Sequence, residues 1–312
     1  MSHSHAGPTQ GKHLGASLAL TLVFVVGEAV AGYLSNSLAL LSDAGHNFAD
    51  AIALGLSWYA VRVSKRPADA SRTFGYHRAG ILTALVNAAA LVAIALFIFW
   101  EAAERFRNPE PVQSGVMIGV AIAAVILNGV ISLWLHSEAK HDLNIRSAYL
   151  HMLGDALAGI GVALAGVIVW LTGKSIADPA VSVIIGLLIL WSSWGILKES
   201  VNILMEGVPA GLDMDALKAA IPQVPGVLNV HDLHVWSVSS GIAACSCHIL
   251  VAEQSVRSGQ QILKAVADML HERFNVSHTT IQVEVEGCGP NEMYCALEED
   301  AGHEEHHHHK DH

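Results

Sequence analysis

Long apolar runs and short polar breaks succeed one another along the first two thirds of the chain. The six runs lie at about Leu14 to Leu34, Ser37 to Val61, Ala79 to Ala103, Gly115 to Leu135, Ala148 to Leu171 and Ala180 to Ile203. Each holds roughly 20 residues or more, the length a helix needs to cross ~30 Å of hydrocarbon. Turn-forming and charged residues separate them: Ser35-Asn36-Ser37, Lys65-Arg66-Pro67, Asn108-Pro109-Glu110-Pro111, Glu138 to Arg146, and Thr172-Gly173-Lys174 followed by Asp178-Pro179. The pattern predicts a membrane all-α domain of six transmembrane helices.

The pattern changes at Glu206-Gly-Val-Pro209. Asp213 to Ile221 reads as a short helix capped by Asp, Val227 to Val238 and Ile242 to Ala252 as strands, and Ser255 to Phe274 as an amphipathic helix. Thr279 to Glu286 closes as a strand, with Ile281, Val283 and Val285 alternating against Gln282, Glu284 and Glu286. The order αββαβ suits a two-layer α+β sandwich. Residues after Cys288 read as disordered.

Basic residues near the span ends set the expected orientation. Arg62, Lys65, Arg66, Arg72 and Arg78 follow the second span, and Lys140 and Arg146 follow the fourth; the opposite side carries Arg105, Arg107 and Lys174. Both termini are therefore expected in the cytoplasm, and the second and fifth spans should run antiparallel. No small-residue cleavage site follows the first apolar run, which is read as an uncleaved span.

Composition agrees with a polytopic membrane protein: 52% of the 312 residues are hydrophobic and 14% charged. A net charge of -11 argues against nucleic acid as partner. The 19 histidines are many. His3, His5 and His13 lie near the start, and His303, His306, His307, His308, His309 and His312 near the end, where Glu-Glu and Lys-Asp-His frame them as a native metal-attracting tail.

Ionisable residues interrupt two of the apolar runs. Ser42-Asp-Ala-Gly-His46-Asn-Phe-Ala-Asp50 in the second is matched by Ser147-Ala-Tyr-Leu-His151-Met-Leu-Gly-Asp155 in the fifth, with alanines aligned at Ala51 and Ala156 and at Ala53 and Ala158. Residues four apart stack on one helix face. Charges inside hydrocarbon are expensive and mark function by default. His46, Asp50, His151 and Asp155 are thus expected to converge as ligands near the bilayer middle, and the matched flanks suggest an inverted repeat of spans one to three and four to six.

Two imidazoles and two carboxylates suit tetrahedral Zn²⁺ and, with looser geometry, Co²⁺ or Cd²⁺; Mg²⁺ and Ca²⁺ want more oxygens. Two ionised aspartates cancel the divalent charge. When the metal leaves, histidines can take up protons in the physiological range, so metal and protons compete for the same lone pairs. That competition is the physical basis of antiport. One pH unit supplies ~1.4 kcal/mol per proton. Exporting one net charge against 100 mV costs ~2.3 kcal/mol, which exchange of two protons for one Zn²⁺ avoids.

The paired His-x-x-x-Asp motifs, the basic loop Lys65-Arg-Pro-Ala-Asp-Ala-Ser-Arg-Thr-Phe-Gly-Tyr-His-Arg78, the Asp178-Pro179 turn, Glu206-Gly-Val-Pro209 and His231-Asp-Leu-His-Val-Trp236 together resemble the cation diffusion facilitator family, in its bacterial zinc-exporting branch. The resemblance covers about Leu14 to Cys288. It implies a homodimer of six-span protomers, a ferredoxin-like cytoplasmic domain, and metal/proton exchange by alternating access in the bacterial inner membrane. His46, Asp50, His151 and Asp155 map onto the family's transport site; some relatives have an aspartate at the position of His46, and histidine there favours zinc. His231, His234, His248 and Glu284 occupy or neighbour positions that bind regulatory zinc in relatives, with Gln282 replacing a ligand. In the loop Asp69 matches the family's metal site, but Arg72 and Tyr76 stand where metal-binding relatives have histidines, and His77 is one position off.

The resulting division is a His-containing cytoplasmic tail at 1–13, a transport domain at 14–206, a cytoplasmic metal-binding and dimerisation domain at 207–287, and a flexible Cys/His-rich tail at 288–312. Asp43 reads as a cation attractor near the outer mouth or a helix-start residue meeting headgroups. Glu28, Asn87 and Asn128 read as packing or hydrogen-bonding groups. Cys245 and Cys247 share a strand face and read as reduced core residues, and Cys288 and Cys295 as zinc-handling tail residues.

The function expected is proton-coupled Zn²⁺ export across the lipid bilayer, with zinc as transported substrate and as a structural or regulatory ion, and no other cofactor. Two alternatives stand beside it: a passive divalent-cation channel, and an exporter with broader Cd²⁺/Co²⁺ or Fe²⁺/Mn²⁺ selectivity. A metalloenzyme is disfavoured because four ligands leave no open position and no His-Glu-x-x-His occurs.

Overall fold

The computed structural model describes residues 8–136 and 143–286. The chain forms two compact units, Met1–Val201 and Asn202–His312. His3 and His5, the tail histidines, and Cys288 and Cys295 lie outside the described residues.

Six long helices come first: α1 (Pro8–Ser35), α2 (Leu38–Ser64), α3 (Ala79–Arg107), α4 (Ser114–Leu135), α5 (Leu143–Thr172) and α6 (Ala177–Leu204). α3, α4, α6 and the Tyr149–Thr172 part of α5 are long and apolar enough to cross a membrane, and α1 has an apolar stretch at Leu22–Ser35. α2 is long enough, but Asp43, His46, Asn47 and Asp50 dilute its hydropathy. The residues that make this helix the least oily are those that give it chemistry. α1 starts six residues before the apolar run, with Pro8 as its first helical residue, where a missing N–H costs nothing.

The bundle is packed inside out relative to a soluble protein. Its core uses small side chains, Ala39, Ala49, Ala95, Ala121 and Ala165, together with Leu40, Leu91, Ile98, Met117, Val162 and Ile189. Large apolar side chains such as Trp100, Trp134, Trp170 and Trp191 face outwards. Hydrocarbon solvates such a surface, and small residues let helix backbones approach. Gly166 on α5 is one case, because a Cβ there would meet Ile118 of α4 at 2.7 Å.

One end of the bundle is tied by a buried charge. Asp178, in the first turn of α6, accepts from the Leu38 N–H at 2.8 Å, the Ala39 N–H at 3.2 Å and the Ser37 hydroxyl at 2.6 Å, capping the start of α2. Arg105 of α3 stands 3.6 Å from Asp178 and donates at 2.6 Å to the carbonyl of Asn36, which sits left-handed in the α1–α2 turn. The sequence marked Asp178-Pro179 only as a turn; the structure gives its carboxylate a cross-helix role.

The second unit holds α7 (Met214–Ala220), β1 (Val227–Ser239), β2 (Ile242–Val251), α8 (Val256–Phe274) and β3 (Val276–Glu284). β1 and β2 form an antiparallel hairpin, and β3 adds parallel to β2, giving the sheet order β1-β2-β3. This is the expected α+β order αββαβ. β3 starts three residues before the expected Thr279, because Asn275 takes the left-handed conformation and turns the end of α8 directly into the strand. Val230, Leu233, Val235, Cys245, Cys247 and Ile249 pack against Val266 and Leu270 of α8 in the core.

Candidate functional site

His46 and Asp50 lie one turn apart on α2, and His151 and Asp155 one turn apart on α5. Their side chains meet in a closed ring that alternates imidazole and carboxylate. Around it, His46 Nε2 to Asp50 Oδ2 is 3.6 Å, Asp50 Oδ2 to His151 Nε2 is 3.3 Å, His151 Nε2 to Asp155 Oδ2 is 3.6 Å, and Asp155 Oδ1 to His46 Nε2 is 3.9 Å. The crossed pairing, His46 with Asp155 and Asp50 with His151, is that of antiparallel helices. The imidazoles meet edge to face, centroids 6.2 Å apart.

The ring is asymmetric in exposure. Asp155 is buried, with its side chain 7% exposed, while His151 is 43% exposed and gives the group an open side. His46 Nδ1 and Asp50 Oδ2 are buried atoms that complete no hydrogen bond. Buried polar atoms normally find partners, so an orphan carboxylate oxygen on the ring, Asp50 Oδ2, points to something that comes and goes. Two nitrogens and two carboxylates in that ring could hold one divalent N/O-loving ion.

In the second unit His231 on β1 stands opposite His248 on β2, and Gln282 of β3 pairs with His248 on the other side. Among the described residues, His231, His248 and Glu284 form the group of three whose donor atoms all lie within 4.8 Å of one another. His231 Nε2 is 3.0 Å from Glu284 Oε2, and His248 Nδ1 is 3.0 Å from Glu284 Oε1. Gln282 is no bystander: its amide donates to Glu284 Oε1 at 2.8 Å and steadies the carboxylate.

His234, expected in the same set, reaches Asp232 Oδ1 at 2.9 Å, and the other Asp232 oxygen stands 3.6 Å from His248 Nε2. The sequence reading passed over Asp232. A bulge breaks the β1–β2 register between His231 and His234, and Asp232 sits there with φ 48°. Its one visible signal is an acid inside a His-x-x-His run. His231 Nε2 is buried without completing a hydrogen bond, so the set fits a zinc ion in charge and donor type.

The basic loop behaves differently. Asp69 Oδ1 accepts from the Ser71 N–H, the Ser71 hydroxyl and the Arg72 N–H, at 2.8, 2.6 and 2.9 Å, and Oδ2 from the Tyr76 hydroxyl at 2.7 Å. The hydrogen bonds from Ser71 and Tyr76 hold this carboxylate well below the usual carboxylate range. Both oxygens are engaged in fixing a turn. His77 packs its ring beside Gly75 instead. Cys245 and Cys247 are free thiols in the core; their mutual hydrogen bond and burial push the Cys245 thiol up.

Glu28 and Asp43 are both fully buried between α1 and α2. For Asp43 this differs from the expected place at the mouth. Asn128 is also buried, and Asn87 is half-buried.

Comparison with known sequences gives two matches in tandem. The cation efflux transmembrane domain matches residues 14–205, and the cation efflux protein cytoplasmic domain matches residues 209–286. The chain is 40% identical over 320 residues to the zinc transporter ZitB of Escherichia coli K12, covering 99% of this chain and 100% of that one. It is 37% identical over 312 residues to the cadmium, cobalt and zinc/H(+)-K(+) antiporter of Bacillus subtilis, covering 99% and 100%. With the metal cation efflux system protein CzcD of Cupriavidus metallidurans it shares 39% over 287 residues, 92% and 90% of the two chains.

Proposed function

The chain belongs to the cation efflux family, and on that premise we propose that it exports Zn²⁺ from the bacterial cytosol in exchange for protons. It is a multi-pass membrane transporter rather than an enzyme. The observation that carries the reading is the closed ring of His46, Asp50, His151 and Asp155, drawn from two antiparallel helices.

Each residue of the ring has a part. Asp50 and Asp155 supply two negative charges that neutralise a divalent ion in the bundle. His46 and His151 supply borderline-soft nitrogens that favour Zn²⁺ over Mg²⁺ or Ca²⁺. Protons and metal bind the same imidazole lone pairs, so proton arrival from the outer side lowers metal affinity and proton loss to the cytosol restores it. The site draws on two helices, so small relative motions of α2 and α5 can open it to either side in turn, as alternating access requires.

The half-exposed His151 supports a site entered from one side. Cd²⁺ and Co²⁺ share the tetrahedral N/O preference and belong with zinc as secondary substrates, in keeping with the name of the Bacillus relative. A passive channel is the less supported reading, because a ring that grips on four sides slows an ion unless protons displace it.

The same reading places both termini in the cytoplasm of a bacterial inner-membrane protein and pairs two chains through the second unit. There His231, His248 and Glu284, with Asp232 and His234 alongside, would hold a regulatory zinc ion. Bound there, the ion would supply a cross-link joining all three strands. No metal is proposed for Asp69 and His77, since the Asp69 oxygens already bind the loop.

Flux tests the proposal: sealed vesicles with an imposed pH gradient, offered Zn²⁺, Cd²⁺, Co²⁺, Mn²⁺ and Fe²⁺ in turn. Uptake that follows the proton gradient and prefers Zn²⁺ is expected. Conductive uptake indifferent to the gradient would replace the exporter with a channel.

A further inference from the structure

Beside the ring lies a second acidic group that the transport reading does not use. Glu28 of α1 and Asp43 of α2 are each 1% exposed. α1 and α2 come close because Gly32 lacks a side chain; a Cβ there would meet Leu40 and Leu41 at 3.1 Å. One turn from that contact, Glu28 faces Asp43 and Asn47. Asp43 precedes His46 by less than one turn of α2.

The charged groups around the pair are mostly acidic. The charged groups acting on Glu28 are Asp43 and Asp155, both acids, and those acting on Asp43 are Glu28, Asp155 and His46. Both Glu28 oxygens and Asp43 Oδ1 are buried and complete no hydrogen bond. Three buried carboxylate oxygens without a hydrogen bond, on two neighbouring acids in a water-poor bundle, call for positive charge from outside the chain. A shared proton neutralises one of the two charges. A metal cation neutralises as much or more and satisfies several oxygens together.

We propose that Glu28 and Asp43, with Asn47 at their side, form a second cation position built of oxygen donors, which takes a hard alkali or alkaline-earth cation next to the zinc-binding ring. Nitrogen and sulfur donors would select zinc, and the pair offers neither. The identity of its neighbour rests on the zinc reading above; the second position does not. A cation there repels one in the ring across a short, poorly screened distance, so the two sites are antagonistic, and by reciprocity each weakens the other. Loading the second position then favours zinc release.

The test is equilibrium binding to the purified full-length protein in detergent, using radioactive sodium, rubidium as a stand-in for potassium, and calcium. Zinc titrations run in parallel. One of the three cations should bind at about one per chain, and Glu28→Gln should weaken it at least ten-fold while the part of zinc binding that Asp50→Asn removes persists as the sign of a folded ring. Wild-type zinc affinity should fall as that cation is added, and Glu28→Gln should remove the dependence. If Glu28→Gln does not fold, Asp43→Asn is read by the same criteria. Zinc binding with no Glu28-dependent or Asp43-dependent hard cation overturns the second position, leaving protons as its counter-charge. A hard cation bound without zinc at the ring upholds it and overturns the zinc reading of the ring instead.

Discussion

His151 Nε2 lies 3.3 Å from Asp50 Oδ2, closer across the α2–α5 interface than either histidine stands to the aspartate on its own helix, 3.6 Å in both cases. Asp50 Oδ2 faces both imidazoles, whereas Asp155 offers a different oxygen to each. The shortest link in the ring therefore joins two helices.

Asp50→Asn keeps the shape and removes a charge shared by both histidines. Zinc affinity should fall by about two orders of magnitude, equivalent to ~2.8 kcal/mol, and proton-driven uptake into inside-out proteoliposomes should be lost. Titration and flux on the same preparation check it; undiminished flux would remove Asp50 from the transport site.

His46→Asp replaces a nitrogen by an oxygen and adds a negative charge to a partly exposed position. The Zn²⁺/Cd²⁺ preference should narrow several-fold, because the site loses part of its borderline-soft character. Competitive uptake of the two metals measures it, and an unchanged ratio would take histidine out of the selectivity argument.

Asp178→Ala strips three hydrogen bonds from the start of α2 and leaves Arg105 without its buried carboxylate. Arg105 keeps Glu101 at 2.9 Å, so the loss is mainly that of the helix cap, about 1–2 kcal/mol. A melting temperature several degrees lower in detergent is expected, and Asp178→Glu should recover little because the cap geometry is tight.

Asp69 predicts a pH window for the loop. Its folded carboxylate is held below its ordinary value. The loop contribution is thus fully present above the ordinary carboxylate range and lost as pH falls through the lower, folded value. Proteolysis at Arg66 and Arg72 should stay flat from neutral pH down through pH ~4 when followed with a protease active there, and rise only in stronger acid. Asp69→Asn should raise it at neutral pH while leaving zinc affinity at the ring intact.

His231→Ala tests the metal-binding group of the second unit. It should weaken zinc binding by the isolated second site by about ten-fold or more, seen as a smaller zinc-dependent rise in thermal stability. Gln282→Ala should act in the same direction and more weakly, since it loses only the bond that steadies Glu284.

The ring was legible because its signal is local in two places at once. Histidine and aspartate four apart in an oily run stand out against the run, and the helical period puts them on one face. The αββαβ order was legible from alternation and turn residues. Where the reading stopped short, the missing information was not local. Asp43 looked like a helix-start residue until α1 was seen to close over it and set Glu28 opposite. Asp178 looked like a turn until its oxygens were found on the α2 backbone. Asp232 sits in a bulge whose position depends on how β1 and β2 pair.

By itself, then, the sequence determined which residues are too polar for their surroundings, how long each helix could be, and that two matched pairs belong together. Hydrophobic period and the cost of burying charge are properties of a segment, readable wherever the segment lies. Only the tertiary structure decided which pairs touch across helices, that His231, His248 and Glu284 close into one group while His234 turns to Asp232, and that Glu28 and Asp43 are left facing each other. Those outcomes depend on the approach and register of separate elements. A distance between residues 15 or 141 positions apart, as for Glu28 with Asp43 and Ser37 with Asp178, is set by packing rather than by either local stretch.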